Sequence, residues 1–136
     1  MQNLVEKLGA IPIPTGKQGM KNFLNCISKT IQKKHSITIY PEAHIWPYYI
    51  KIRPFKSVAF RYPIDLNVPT FCMTNTYKKR GKSEKANIVT YIDGPFWPNE
   101  SLGKHEKQED LRNRVYEAMT KRSRNSNIEI VKYIKR

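Results

Sequence analysis

Glu42 and the cations that follow it are the residues whose types and spacing could do chemistry. Glu42 is one of three acidic residues among the first 76 positions, which also carry ten Lys and Arg. An isolated carboxylate that faces several cations favours a site for a polar or phosphorylated ligand. Arg53 and Lys56 are the candidates for phosphate contact, because a guanidinium fork suits phosphate oxygens. Two simpler interpretations stay open: Glu42 caps a turn or pairs with a lysine, and the cations form a solvated loop.

The residues that could bind a metal give no recognisable metal site. Three histidines and two cysteines are scattered along the chain without the spacing of a metal centre. Cys26 and Cys72 lie on apolar segments far apart in sequence, so we predict two buried free thiols in a reducing compartment. We expect neither a metal nor a bound cofactor.

These residues must be positioned by alternating helices and strands. Apolar residues at helical spacing predict a helix that Thr15 caps and that runs to about Lys34, and its apolar stripe is expected to pack on a sheet rather than on a membrane. The β-branched segment 36–40 is predicted to be a strand that Pro41 ends, which places Glu42 directly after it. Further strands are predicted at 9–14, 68–76, 87–93 and 127–134, further helices at 56–66 and 104–122, a basic turn at 78–85 and a loop at 94–99.

This order of elements predicts one α/β domain over residues 1–136, with a single sheet flanked by helices. The length allows one domain with a real core and leaves no room for a second. The formal charge of +14 suits an anionic partner, which could be a membrane surface, a nucleic acid or a phosphorylated substrate. An ordinary basic surface is the alternative. No run approaches the ~18 apolar residues that cross a bilayer, so membrane association would be peripheral.

Four segments resemble, in order and spacing, signature blocks of the phospholipid/glycerol acyltransferase family, and of its 1-acylglycerol-3-phosphate acyltransferases in particular. YPEAHIWP at 40–47 resembles the third block, a strand end that reads FPEG(T)R in the family. RPFKSVAF at 53–60 resembles the segment that follows this block. NVPTFCMTNTY at 67–77 is similar to the fourth block, and GAIPIPTG at 9–16 stands in the place of the second.

The resemblance implies an acyltransferase of glycerophospholipid synthesis, which transfers a fatty acyl group to a lysophospholipid hydroxyl. The donor would be acyl-coenzyme A or acyl-carrier protein, acting as a co-substrate. By position, Glu42 would hold the glycerol and phosphate of the acceptor, with Arg53 and Lys56 beside it. The implied partners are a lysophospholipid, the acyl donor and an anionic membrane surface. The implied location is cytoplasmic and peripheral, at the inner face of the membrane.

The third block departs from the family pattern at three successive positions. The family's glycine is Ala43 in this chain, its threonine is His44 and its arginine is Ile45, and the second-block arginine is replaced by Thr15. The phosphate contacts must therefore differ from those of the family. We interpret EAHIWPYY as the block of a subgroup in which His44 or Trp46 shapes a different pocket, which adds His44 to the candidate substrate-binding residues.

The family's catalytic His-x4-Asp block would precede the second block, where this sequence has eight residues before Gly9. We therefore expect the fold of an N-terminally truncated acyltransferase domain, with the His/Asp dyad upstream of this chain. No catalytic residue is assigned within the chain, which is predicted to be inactive alone. His105 and Asp110 have the His-x4-Asp spacing, but five positions on a helix separate two side chains by about 140°, which excludes a hydrogen-bonded dyad.

Two other functions stay open. Interleaved aromatic and basic residues, as in YYIKIRPFK at 48–56, would also suit a small basic nucleic-acid-binding module. No known nucleic-acid-binding signature appears in the sequence, so no nucleic-acid partner is expected. The third possibility is a degenerate family member that binds lipid or coenzyme A without turning it over.

Overall fold

The computed structural model describes residues 9–11, 14 and 16–134, apart from the side chain of Glu84. These residues divide into two compact units, one up to Ile39 and the other from Tyr40 onward. They contain three α-helices and one two-stranded antiparallel sheet. The chain therefore has both helices and a sheet, as an α/β protein does.

Helix α1 is the main element of the first unit and spans Gly16–Gln32, close to the predicted bounds. Ile27 is its buried residue. The helix ends at Gln32, and two residues later Lys34 has a φ of +60°, in the left-handed region. The N–H of His35 then donates to the carbonyl of Thr30 at 3.2 Å. A left-handed residue followed by such a backward hydrogen bond is a common helix stop, because it satisfies a carbonyl that the helix leaves free.

The second unit is built on a hairpin of two long strands. Strand β1 spans Thr70–Arg80 and strand β2 spans Ser83–Phe96, and the two pair antiparallel. Successive side chains of a strand point to opposite faces, and in β1 one of these faces is buried. The buried side chains of β1 are Cys72, Thr74 and Thr76.

Gly94 allows β2 to pass close to the start of β1. Its φ is +132°, and a Cβ atom at this position would lie 2.9 Å from both the carbonyl oxygen of Thr70 and the ring of Phe71. The register of the hairpin shifts at the same point, between Thr70 and Cys72. A side chain at position 94 would therefore be strained and crowded against backbone, which explains the glycine.

A short helical segment connects the candidate site to the hairpin. A 3-10 helix at Ser57–Phe60 leads directly into α2, Arg61–Asp65. The predicted helix at 56–66 is thus shorter and begins as 3-10. Pro63 lies in the first turn of α2. The first N–H groups of a helix have no partner within it, so a proline is tolerated there.

Helix α3 spans Lys104–Ser123 and confirms the helix predicted at 104–122. Its charges suit the helix dipole, since Glu106 lies in the first turn and Lys121 and Arg122 lie in the last. The Glu106 carboxylate also accepts a hydrogen bond from the N–H of Gly103 at 3.0 Å. Both ends of α3 are therefore stabilised by local residues.

The core of the second unit lies where α3 packs on β1 and on the 3-10 helix. The helix contributes a stripe at intervals of four residues, and β1 contributes its buried face. Removing this apolar area from water is the main stabilising term for such a unit. The buried apolar cluster consists of Phe55, Phe60, Cys72, Leu111, Val115 and Met119.

Two predicted strands are absent. Residues 36–40 and 127–134 lie in no strand, although both have the alternation or β-branching of one. A strand needs hydrogen bonds from a neighbour as well as propensity, and β1 and β2 are the paired strands of the described residues. From residues 127–134, Asn127 reaches β1 with two groups: its N–H donates to the carbonyl of Tyr77 at 3.0 Å, and its Oδ1 accepts from the N–H of Lys79 at 2.8 Å.

Three further predictions change. The strands predicted at 68–76 and 87–93 are present but longer. The turn between them therefore consists of Gly81 and Lys82 instead of residues 78–85. The first residues of the loop predicted at 94–99 belong to β2. Cys26 is exposed rather than buried, whereas Cys72 is buried as predicted. For the strand predicted at 9–14, residues 9–11 and 14 lie in no strand, and the rest of it, like the Thr15 cap, lies outside the described residues.

Candidate functional site

The candidate residues lie in an irregular loop that Glu42 and Arg53 close. We call residues 42–53 the clamp loop. The backbone N–H of Arg53 donates to Oε2 of Glu42 at 2.8 Å. The Nη2 of Arg53 donates to the carbonyl oxygens of Glu42, at 2.9 Å, and of His44. Charge-assisted hydrogen bonds of this kind are about twice as strong as neutral ones, so they can hold a loop that has no regular secondary structure.

Ala43 takes a backbone conformation that favours glycine. Its φ is +63°, in the left-handed region that residues with a Cβ atom adopt at a cost. The turn around it is tight, since the N–H of His44 donates to the carbonyl of Glu42 at 2.8 Å. Tyr48 is the second left-handed residue of the clamp loop, with a φ of +59°. The loop is therefore held in a strained shape by its polar clamp.

Aromatic rings cover the clamp on one side. The guanidinium of Arg53 lies 4.6 Å from the centre of the Trp46 ring, as in a cation–π contact. Tyr133, from the tail, stacks on Trp46 with ring centres 4.9 Å apart, and its hydroxyl donates to the carbonyl of Pro47 at 2.9 Å. The Tyr49 ring meets both of the other rings edge-on. The tail thus packs directly on the clamp loop.

The four predicted site residues differ in what they can offer a ligand. Arg53 is mostly buried, with 16% of its side chain exposed, and Glu42 has 26% exposed. His44 and Lys56 are exposed. The structure therefore brings together Glu42, Arg53 and the backbone of His44. Among the described residues, Lys56 makes no hydrogen bond or ion pair with these three.

Lys56 is positioned by its neighbours rather than by the clamp. Phe55 is buried and packs against Phe60 and Tyr116, with ring centres 6.0 and 5.4 Å apart. On the other side of Lys56, the hydroxyl of Ser57 donates to Glu109 of α3 at 2.5 Å. This hydrogen bond lowers the pKa of Glu109, and Arg112 adds to the effect. Lys56 is therefore an exposed cation on a backbone that is anchored to the core.

Other ionisable groups of the second unit serve the fold. Three hydrogen bonds from Arg122 hold the Asp93 carboxylate of β2, the shortest at 2.7 Å, and they lower the pKa of Asp93. A hydrogen bond from Lys104 lowers the pKa of Asp65 in the same way. Burial raises the pKa of the Cys72 thiol, which therefore stays protonated and unreactive at neutral pH. None of these groups touches the clamp loop.

His105 and Asp110 do not form a catalytic pair. Both lie in α3, and the Asp110 carboxylate is bound by Arg114, at 2.7 and 2.9 Å. The helical geometry expected from the sequence is present, and it directs the carboxylate to a different partner.

Two contributions to this site were missed in the sequence. Tyr133 was predicted to lie in an edge strand, yet it packs on the clamp loop. Tyr77 lies just beyond the strand predicted at 68–76 and was given no role, yet its ring lies 5.4 Å from that of Tyr48. No local signal could have found these contacts, because each joins segments at least 29 positions apart. A tyrosine in a polar tail was the available hint, since such rings often find a partner.

Comparison with known proteins adds no relative. No family model matches the sequence, and no similar protein was found among the curated proteins or the solved structures. Within the described residues, no helix is long and apolar enough to cross a membrane. The same residues contain no cluster of three His, Cys, Asp or Glu side chains that could hold a metal ion.

Proposed function

We propose that this chain carries the acceptor-binding part of a glycerophospholipid acyltransferase, whose acceptor is a lysophospholipid of the 1-acylglycerol-3-phosphate type. The donor in this proposal is acyl-coenzyme A or acyl-carrier protein. The observation that carries the proposal is the conformation of the Glu42–Ala43 step. The backbone at Ala43 is left-handed, with a φ of +63°, at the position where the resembling block has glycine.

The hydrogen bonds between Glu42 and Arg53 support the same interpretation of residues 40–47 as the third acyltransferase block. A glycine in that block would allow a turn after the glutamate, and the turn is present in this chain with alanine in its place. Arg53 returns to the same glutamate from the segment that follows the block. The acyltransferase-like order of segments thus corresponds to side chains that meet in space. This is support for the resemblance at one site, and the overall acyltransferase fold remains part of the proposal.

In this proposal the four residues divide the work. Glu42 and Arg53 shape the loop, and Nη1 of Arg53, which makes no hydrogen bond among the described residues, is left for an acceptor oxygen. Lys56 supplies an exposed ammonium to the acceptor phosphate. His44 lies beside the clamp and borders the head-group pocket. The chain itself is assigned no general base.

A peripheral position on the cytoplasmic face of a membrane is part of the same proposal. The acceptor is a lipid, and a charge of +14 would attract the chain to an anionic leaflet. A nucleic-acid-binding role is less well supported at the clamp loop. Its rings stack on one another and on Arg53, instead of forming a row of free faces for bases.

The test is a titration of the full chain with a short-chain 1-acylglycerol 3-phosphate, kept below its micelle concentration and followed by calorimetry. We expect saturable binding that Lys56→Gln weakens by about tenfold or more, because a charge-assisted contact is lost. Lys121→Gln is the matched control, since it removes the same charge from α3, outside the loop. A monoacylglycerol without phosphate should bind much more weakly.

The proposed acceptor site would be contradicted if Lys56→Gln and Lys121→Gln lost the same affinity for the lysophospholipid. It would also be contradicted if the wild type bound the phosphate-free monoacylglycerol as tightly as the lysophospholipid. Salt-sensitive oligonucleotide binding at sub-micromolar affinity, without any lysophospholipid binding, would favour the nucleic-acid alternative. Addition of acyl-coenzyme A provides a further check. Acyl transfer by this chain alone that His105→Ala abolishes would overturn the assignment of no general base.

A further inference from the structure

One face of the β1–β2 hairpin is apolar and open. Side chains of opposed residues lie on the same face, and the pair Met73–Ile92 stands on the face opposite the buried side chains of β1. Asn75 and Thr90 come next on this face, joined by a hydrogen bond of 2.6 Å, and the pair of Tyr77 with Ile88 follows toward the turn. We call Phe71, Met73, Ile88 and Ile92 the open face. Between 56% and 64% of each of these four residues is exposed to solvent.

The far end of the same hairpin is strongly basic. Residues 78–85, which we call the basic tip, contain five Lys and Arg and one Glu. Lys78 donates to the carbonyl of Asn125, whereas Lys79, Arg80, Lys82 and Lys85 are exposed. The open face extends about 20 Å along the hairpin, from Phe71 to Ile88 opposite Tyr77, at about 3.3 Å per residue. The apolar side chains, with the Asn75–Thr90 pair between them, and the cations therefore lie on one hairpin, which is amphipathic along its length.

We propose that this hairpin docks the protein on an anionic lipid bilayer. The open face lies against the interface, and the basic tip contacts the head-group phosphates. A surface with apolar side chains beside clustered Lys and Arg binds anionic membranes through both terms together. The inference deepens the membrane association given under the proposed function, because it names the surface and residues that make the contact.

The chemistry of the open face favours lipid over the other anionic partners. Three of its four residues are aliphatic, and only Phe71 could stack on a base, whereas single-stranded nucleic acids need a row of aromatic platforms. A second copy of the chain is disfavoured by charge. Each copy carries +14, so two basic tips on a shared surface would repel each other.

The experiment is co-sedimentation of the full chain with vesicles of equal parts phosphatidylglycerol and phosphatidylcholine, and with phosphatidylcholine alone. We expect binding to the anionic vesicles that falls when NaCl is raised from about 50 to about 200 mM. The double variant Lys79→Gln/Lys82→Gln should weaken binding about 25-fold, at about fivefold for each lysine. Lys121→Gln/Arg124→Gln removes the same charge from the end of α3 and should have little effect.

A second pair of variants tests the apolar contribution. Ile88→Thr/Ile92→Thr keeps β-branched residues in the strand, so the hairpin should persist, as circular dichroism can verify. We expect at least about fivefold weaker binding to anionic vesicles. Val58→Thr is the control, because Val58 is 63% exposed on the 3-10 helix and lies off the hairpin.

The inference would be overturned if the two double variants that remove charge weakened vesicle binding equally, since the overall positive charge would then account for binding. Full binding by the isoleucine variant would also overturn it, as would tip-dependent binding to an oligonucleotide that exceeds binding to vesicles. The assay contains neither lysophospholipid nor acyl donor. Lysophospholipid binding is measured separately, by calorimetry, so failure of the hairpin inference is separable from failure of the acceptor site.

Discussion

The second unit contains two regions that are stabilised in different ways. Helix α3 and the hairpin meet through a repeated apolar pattern, in which Leu111, Val115 and Met119 pack on the buried face of β1. The clamp loop has no such pattern. It is held by the hydrogen bonds between Glu42 and Arg53 and by aromatic contacts with Trp46.

This difference separates the stability of the whole unit from the shape of the candidate site. Apolar packing is spread over many contacts, so it sets the free energy of unfolding of the whole unit. A clamp made of a few directional bonds sets the shape of one loop. Damage to the core should unfold the second unit, whereas damage to the clamp should release the loop and leave the hairpin intact.

Leu111→Ala should have the largest effect on the core region. Leu111 is fully buried in the apolar cluster, and its truncation removes packing and leaves a cavity. We expect the free energy of unfolding to fall by about 2–5 kcal/mol, measured by urea denaturation. Val58→Ala is the control, because Val58 is exposed and should change this free energy by less than about 0.5 kcal/mol. Similar losses in the two variants would show that the cluster is not the core.

Arg53→Gln should have the next largest effect, and it should act locally. The variant removes a charged partner of Glu42 and the ring contact with Trp46, at a cost of about 1.5–3 kcal/mol. We expect faster proteolysis within the clamp loop and altered tryptophan fluorescence, while the circular dichroism spectrum is unchanged. Arg53→Lys should rescue little, because an ammonium cannot reproduce the fork.

Arg61→Gln is the matched control for the clamp. Arg61 pairs with Asp65 at 3.0 Å on an exposed part of α2, and surface ion pairs contribute little. This variant should leave proteolysis of the clamp loop unchanged. If Arg53→Gln behaved like Arg61→Gln, the distinction between the two regions would fail.

Low pH should weaken the hairpin through Asp93. The hydrogen bonds from Arg122 hold the pKa of Asp93 below its ordinary value of 3.8, so the unfolded chain takes up a proton first. The stabilisation is complete above about pH 5 and is lost as the pH falls through 3.8 and below. We expect the urea midpoint of the wild type to drop over this range, and that of Asp93→Asn to drop less. A parallel decline of the two proteins would rule out this contribution.

The periodic elements could be predicted from the sequence, because their residues carry the pattern themselves. The stripe of α3 and the two strands of the hairpin are present where local spacing placed them. Segments 36–40 and 127–134 have strand-like composition but lie in no strand. Composition gives a segment its propensity for the extended conformation, but a strand forms only where a neighbouring segment provides hydrogen bonds.

Of the candidate site, the sequence could predict the pair of Glu42 and Arg53 but not the burial of Arg53 or the contact with Tyr133. An isolated Glu42 near Arg53 was visible in the sequence, and the structure joins them. Arg53 is mostly buried, and the sequence could not predict this. Glu42 and Arg53 are eleven positions apart, and the geometry of the loop between them depends on the left-handed residues Ala43 and Tyr48. The packing of Tyr133 on the loop depends on where the tail ends in space. Contacts between distant segments carry no periodic signal.

Tyr133→Phe should have the smallest effect on stability. Together with Tyr133→Ala, it tests whether the tail is a structural part of the clamp loop. The variant keeps the ring stacked on Trp46 and removes only the hydrogen bond from the hydroxyl to the carbonyl of Pro47. Because this bond is exposed, we expect a loss of about 0.5 kcal/mol, seen as faster proteolysis of the tail rather than of the hairpin. Tyr133→Ala also removes the stacking and should lose about 0.5–1.5 kcal/mol more. If Tyr133→Ala freed the tail without any change in Trp46 fluorescence or in clamp-loop proteolysis, the tail would only rest on the loop. A change in both would make the tail a structural part of the clamp loop.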